Sequence, residues 1–287
     1  MREHISQSIL LISRTIPLLM IQAGLYISIG LSAILFFFIF IRLAAPTVGL
    51  GGGVFPALLL LATFLFWEIF RWVRRHLLFR FRTAHIALLT EILRTGKGLS
   101  GNGQFRQGKE AVARRFGSYP RFLDFQRKFE RIARAIRRQA LPRRPVAMTF
   151  LFRNALVAQM VLAYPFYRDD LAPLDAAREG LVLYAGSAER FFGRTASILV
   201  FHDAVYALLL LILSLPIYFL FQTIGVPFIA GFILAMILAL MTRQAFLEPL
   251  VLTALIVAFI RESAGKTPDP AWEEKLESFF ENLRTEE

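Results

Sequence analysis

Four apolar runs, residues 16–41, 54–70, 198–221 and 226–241 with a continuation to 260, constrain this chain more than any motif in it. Spanning a hydrocarbon core about 30 Å thick takes roughly 17 to 25 mostly apolar residues in a helix. The runs have that length, and the sequence therefore predicts an integral membrane protein. Composition agrees: the chain is 56% hydrophobic with 29 Phe in 287 residues, and its mean hydropathy is +0.55. The first run exceeds the roughly 7 to 15 residue core of a signal peptide and has no small-residue cleavage site behind it, so it is expected to be retained. Cys is absent, which excludes disulfides, thiolate metal sites and Cys nucleophiles.

Charge placement sets the expected topology. Residues 71–144 hold 20 Lys or Arg against Glu91, Glu110, Asp124 and Glu130, a local excess of 16, so the rest of this +12 chain sums to −4. Lys- and Arg-rich segments beside spans stay cytoplasmic, and the cluster Arg71, Arg74, Arg75, Arg80, Arg82 directly follows the second run. The loops on the other side, 42–53 and 222–225, share one basic residue, Arg42. The expected arrangement is a cytoplasmic N-terminus 1–15, spans 16–41 and 54–70 joined by an external loop 42–53, and a cytoplasmic insertion 71–197. Spans 198–221 and 226–245, joined by the turn 222–225, then lead to a cytoplasmic segment 246–287. Both termini lie inside, and a bacterial plasma (inner) membrane is the expected location. Residues 226–260 would make about 52 Å of helix at 1.5 Å per residue, more than a bilayer needs. The break at Arg243, Gln244, Glu248 and Pro249 suggests a span ending near Ala245 and then an amphipathic piece on the cytoplasmic surface, or else one kinked helix.

The insertion reads as helices punctuated by Gly and Pro without the alternation of strands, so the fold class is all-α. Residues 72–93 continue the second span, and Gly96, Gly98, Gly101 and Gly103 end that piece. Gly103 and Gly108-Lys109 fall one residue type short of a phosphate loop, since Glu110 stands where the Mg²⁺-binding hydroxyl belongs; the stretch is read as a flexible turn. Residues 119–139 place Phe122, Phe125, Phe129, Ile132 and Ile136 at helical spacing with Arg127, Lys128, Arg131, Arg134, Arg137 and Arg138 on the remainder. Such a basic amphipathic helix can lie in the headgroup layer with its cations on anionic phospholipid; packing within a helical domain is the alternative, and nucleic acid is not expected. Residues 147–166 approach spanning length but contain Arg153, Asn154 and Gln159, and a full span would invert everything after them. An interfacial or re-entrant helix is expected there.

Ionisable residues inside spans are costly and therefore informative. His202 and Asp203 lie in the third run, Arg243 and Glu248 in the fourth. Asp203 is 21 residues before Ile224 and Arg243 is 19 after it, so an antiparallel hairpin puts them at nearly one depth and pairing is expected. Glu248 falls a turn deeper, near His202 or Arg194. The pairing reads as a salt bridge locking the hairpin, or as a proton relay through His202. Gln22, Gly24, Ser28, Gly30 and Ser32 give the first span a small-residue stripe suited to packing. Neither a metal cluster nor a nucleophile elbow is spelled out, so no catalytic residue, metal or cofactor is expected and the chain is not read as an enzyme. The tail reverses sign, with eight acids against four bases from Arg261 onward. Thr267-Pro268-Asp269-Pro270 starts its helix, and Trp272, Leu276, Phe279, Phe280 and Leu283 form one side, expected to pack on the basic insertion or a neighbouring subunit.

Two stretches, Asp175-Ala176-Ala177-Arg178-Glu179-Gly180-Leu181-Val182-Leu183-Tyr184-Ala185 and Ala245-Phe246-Leu247-Glu248-Pro249-Leu250 with Thr267-Pro268-Asp269-Pro270-Ala271-Trp272-Glu273, resemble uncharacterised prokaryotic four-helix integral membrane proteins. The order of short helix, span, span and cytoplasmic exit from about Phe150 onward resembles the C-terminal part of choline transporter-like proteins. That family's extra spans and large extracellular loop are missing, and no functional residue carries over. The resulting expectation is a small oligomeric transport or channel-like subunit. Its alternative is a non-transporting scaffold or assembly factor that binds anionic lipid and a partner protein at the cytoplasmic face.

Overall fold

Residues 2–44, 54–96, 103–140, 155–223 and 228–284 are described by a computed structural model, and among them there is no strand. Most of the expected external loop, 45–53, and the end of the expected turn, 224–225, lie outside the described residues. The helices are α1 (Arg2–Ala44), α2 (Val54–Val73), α3 (Phe79–Thr95), α4 (Gln104–Phe116), α5 (Tyr119–Ala140), α6 (Ala155–Leu162), α7 (Tyr164–Tyr167), α8 (Pro173–Thr223), α9 (Phe228–Thr242), α10 (Glu248–Ser263) and α11 (Pro270–Arg284). Two π-helical segments, Arg74–Leu78 after α2 and Arg243–Leu247 after α9, interrupt this series. Four helical stretches are long and apolar enough to cross a membrane: Ser13–Phe40, Pro56–Thr95, Val200–Thr223 and Phe228–Ser263. The chain divides into a span unit, Leu19–Phe81 with Phe201–Pro249, and a helical unit, Met1–Leu18 with Arg82–Val200 and Leu250–Glu287.

In the span unit the buried positions repeat at three and four residues. Ala23, Tyr26, Ala33 and Phe37 of α1 share one cluster with Leu59, Phe66 and Phe70 of α2 and with Ala230, Ile233, Leu234, Ile237 and Met241 of α9. That spacing keeps one stripe of each helix against its neighbours. Large residues between the stripes, Leu31, Phe38, Leu60 and Phe64 among them, are exposed, as a lipid solvent permits. The small-residue stripe on α1 is only partly used: a Cβ on Gly30 would touch Leu238, whereas one on Gly24 would meet nothing. Ser28 and Ser32 turn their hydroxyls back to the carbonyls of Gly24 and Ser28, at 2.9 and 2.8 Å.

In the helical unit α10 is the central element. Val251, Leu252, Leu255, Ile256, Val257, Phe259 and Ile260 are all buried, and the Phe259 ring meets Tyr164, Phe191 and Tyr184 at centroid distances of 5.9, 6.2 and 6.4 Å. Expected as an amphipathic surface piece or as the end of one kinked helix, the segment after Ala245 is buried on most sides and lies within the long apolar stretch Phe228–Ser263. The same burial holds within 147–166. Leu156, Met160, Val161, Leu162, Ala163, Tyr164 and Phe166 are buried in this unit, so their apolar character serves a protein core; residues 147–154 lie outside the described residues.

Glycine punctuation works as backbone geometry. Gly96 has φ +68° and closes α3 by donating its N–H to Ile92 O at 2.9 Å, and Gly117 at φ +75° ends α4, a conformation costly for other residues. The turn expected over 99–109 is corrected at its described end, where 104–109 are helical; Gly98 and Gly101 lie outside the described residues. Gly108 sits inside α4 because a Cβ there would collide with the backbone oxygen of Ala84. Gln104, at the start of α4, accepts from Leu18 N at 3.2 Å and donates to Arg14 O at 2.5 Å. It thereby bridges one rung of α1 beside Pro17 and fastens α4 to the N-terminal turns. At the other end Asp269 accepts from Ala271 N at 3.0 Å, an N-cap ahead of Pro270 in the first turn of α11. Leu276 of α11 is buried, and Arg178 donates to Glu277 at 3.3 Å; the side chains of Phe279, Phe280 and Leu283 lie outside the described residues.

Candidate functional site

Two polar constellations stand out, one in each unit. In the span unit, α8 supplies His202, Asp203 and Tyr206, and the π-helical segment after α9 supplies Arg243. Arg243 Nε donates to His202 Nε2 at 3.1 Å, His202 Nδ1 lies 3.0 Å from Asp203 Oδ1, and Arg243 Nη2 lies 3.7 Å from the same oxygen. The guanidinium also lies over the Tyr206 ring at 4.9 Å. A guanidinium N–H can only donate, so His202 Nε2 must accept and the ring proton resides on Nδ1, aimed at Asp203. In this arrangement the imidazole bridges the carboxylate and the guanidinium. Protonating Nε2 would set two donors against each other and open the Arg243 bond.

A π turn inserts one residue into a helical ladder and rotates the residues after it. Here the turn opens with Arg243 and buries the next side chain, Gln244. The Oε1 of Gln244 has no hydrogen-bond partner among the described residues. Glu248 opens α10 and is half-buried; the Arg194 side chain, one of its two expected neighbours, lies outside the described residues. His202, fully buried, is held on both ring nitrogens, the arrangement of a staple between α8 and the end of α9.

In the helical unit, α5 spends its apolar face on protein. Phe122, Phe129 and Ile132 are buried; Phe116 stands edge-on against Phe122 at 4.9 Å and against Phe166 at 5.3 Å. Part of this face is thus packed on protein, as the alternative of packing within a helical domain expects, while Phe125 stays half-buried. Of its cations, Arg127 and Arg131 are exposed, whereas Lys128 is largely covered and lies 3.7 Å from Asp124. The side chains of Arg134, Arg137 and Arg138 lie outside the described residues.

Beside α5 opens a cleft of about 800 Å³ between the end of α4, α5 and the start of α8. Its apolar wall is Phe116, Phe125, Phe129, Ile132, Leu174 and Ala177, and its charged groups are Arg115, Arg121, Lys128 and Asp124. Arg115 donates to the carbonyls of Pro165, Arg168 and Leu171 at 2.6, 2.8 and 2.6 Å, clamping the connection between α7 and α8. Burial lowers its pKa from the ordinary value, against the pull of Asp169 and Asp170 in the other direction. The same connection is braced by Arg168, which reaches both oxygens of Asp170 at 2.8 Å and Glu179 at 2.5 Å. Tyr164 donates to Glu179 at 2.8 Å, and burial with that bond pushes its phenol up to about 12. Asp170 is held below the usual carboxylate range by the bonds from Arg168.

No family model, curated protein or solved structure matches the chain. Among the described residues no group of three His, Asp or Glu side chains is placed to hold a metal ion. Sequence reasoning named Asp203, Arg243 and His202, and the structure brings these three together. It missed Tyr206, took Gln244 only as part of the helix break, and missed Arg115 and Arg121. The first two sit one turn from Asp203 and directly after Arg243, a spacing from which they could have been found. The role of Arg115 depends on the carbonyls of Pro165, Arg168 and Leu171, 50, 53 and 56 residues further along the chain, and no local pattern announces it.

Proposed function

We propose that this chain is a membrane-anchored adaptor: its spans anchor it in a bilayer, and its helical unit binds anionic lipid and a partner protein. The observation that carries this reading is the placement of buried polar groups in the span unit. Among the described residues they are Gln22, His202 and Gln244, each only a few residues from a point where the chain passes into the helical unit. The rest of the buried cluster is Ala, Met, aliphatic or aromatic. A hydrated pathway wants polar side chains along its length, and a His202 held on both ring nitrogens suits a structural staple better than a proton relay.

A second reading, an oligomeric transport subunit, is favoured by one feature: only 6% of the most apolar stretch within Val200–Thr223 is buried, leaving that span free to meet further copies. The exposed residues there are nevertheless apolar, with Phe201, Leu208, Leu211, Ile212, Leu215 and Phe219 prominent, a surface that matches lipid. Native mass spectrometry after gentle extraction from the source membrane separates the two readings. The adaptor reading expects a different protein bound in fixed ratio; a homo-oligomer carrying no other protein would overturn it in favour of transport.

A further inference from the structure

We infer that the cleft beside α5 is a binding site for one anionic amphiphile, an acyl chain ended by a phosphate. This deepens the adaptor reading and rests on it for its biological use, but the cleft lies wholly within the helical unit and its chemistry is independent of whether the spans conduct. Three observations carry the inference. First, the size: about 800 Å³ falls in the range of roughly 300 to 1,000 Å³ typical of small-molecule sites.

Second, the charge is not balanced. Asp124 answers Lys128 at 3.7 Å, whereas Arg121 has no carboxylate within ion-pair distance among the described residues. Arg115 gives its hydrogen bonds to three backbone carbonyls, which satisfy N–H donors and leave the positive charge in place. The carboxylates that act on it from further away, Asp169 and Asp170, are themselves paired with Arg94 and Arg168. The cleft therefore carries a surplus of guanidinium charge. Guanidinium groups match phosphate oxygens with paired N–H donors. Third, the remaining wall is aromatic and aliphatic, and Phe125 and Leu174 in it are half-buried. A soluble anion would leave that wall wet; an acyl chain would cover it, at about 25 cal/mol for each Å² removed from water.

The segment of this chain that comes after α5 is a poor occupant. Residues 141–154 contain Arg143, Arg144 and Arg153 and no acid, so they share the sign of the cleft.

The test is native mass spectrometry of the full chain in nanodiscs of zwitterionic lipid, titrated with palmitoyl lysophosphatidate, palmitoyl lysophosphatidylcholine or inorganic phosphate. One retained lysophosphatidate per chain is expected, with at least tenfold weaker retention of the zwitterionic lipid and of phosphate alone. The variant Arg121→Glu/Lys128→Glu should lose the adduct, and Leu174→Trp, which puts a bulkier apolar group into the lining, should lose it while keeping both charges. Circular dichroism melting confirms that each variant is folded. Equal retention of the two lipids, equal retention of phosphate alone, or an adduct unchanged in either folded variant would overturn the inference. Loss of lipid binding with a partner protein still attached would strike this site alone; loss of the partner with lipid still bound would strike the adaptor reading.

Discussion

Residues 200–223 and 248–263 are both strongly apolar helices, yet the structure uses them in opposite ways. The first leaves Phe201, Leu208, Leu211, Ile212, Leu215 and Phe219 exposed, and the second buries nearly every apolar side chain it has. Lipid tails and protein interiors reward the same residue types, so hydropathy alone does not tell them apart. What separates them is the neighbouring chain. The helical unit closes on α10 with the rings of Tyr164, Tyr184 and Phe191 around Phe259, and with His85 of α3, whose Nε2 lies 3.3 Å from Thr253 Oγ1. Among the described residues, little of the apolar stretch Val200–Thr223 is covered in this way. One stretch is a core and the other presents an apolar surface.

The sharpest way to break that comparison is a pair of truncations. Phe259→Ala removes a fully buried ring with three aromatic neighbours and should cost about 3 to 5 kcal/mol. Phe219→Ala, on a side chain 61% exposed, should stay within about 0.5 kcal/mol. Unfolding midpoints in nanodiscs check both, and equal losses would erase the distinction. Gly108→Ala comes next. In an exposed helix this change gains about 1 kcal/mol, but here the new methyl meets Ala84 O, and a net loss of about 1 to 3 kcal/mol is expected from overpacking. A stabilised variant would mean that α3 and α4 are not in close contact.

The staple gives a smaller effect. Asp203→Ala or Arg243→Ala should each cost about 1 kcal/mol, the scale of a hydrogen bond on a partly solvated group. The exchanged double variant Asp203→Arg/Arg243→Asp should recover part of it, and a double variant no better than the sum of the singles would count against the pairing. The smallest expected change is spectroscopic. Tyr164 ionises at about 12 in the folded chain, against about 10 when exposed. A raised folded pKa means that the stability it reports is intact below about pH 10 and is lost as pH climbs toward about 12. Tyrosinate absorbance of wild type and Tyr164→Phe should therefore differ only at the top of that range; a difference centred near the exposed value would place the phenol in solvent.

The four apolar runs and the all-helical class were legible because both come from side-chain hydropathy and the lack of alternation, which are local properties. Counting from the turn near Ile224 put Asp203 and Arg243 at one depth, and the structure sets them 3.7 Å apart. Counting residues does not orient a ring, so the position of His202 between the two could not be read that way. The role of α10 was hidden because its burial depends on side chains far back in the chain, Tyr164 and His85 among them. Gly108 was hidden for a related reason: a glycine chosen for close approach looks like one chosen for a turn until its partner, Ala84, is known. The apolar face of α5 was legible as a face, but the choice between lipid and Phe116 with Phe166 rested on tertiary packing.

The most direct test of the adaptor reading is ion and proton flux through proteoliposomes containing the full chain. Leak rates indistinguishable from protein-free vesicles, unchanged by Asp203→Asn or Arg243→Gln, are the predicted result. A flux above that background that either substitution abolishes would make the staple part of a pathway and contradict the account.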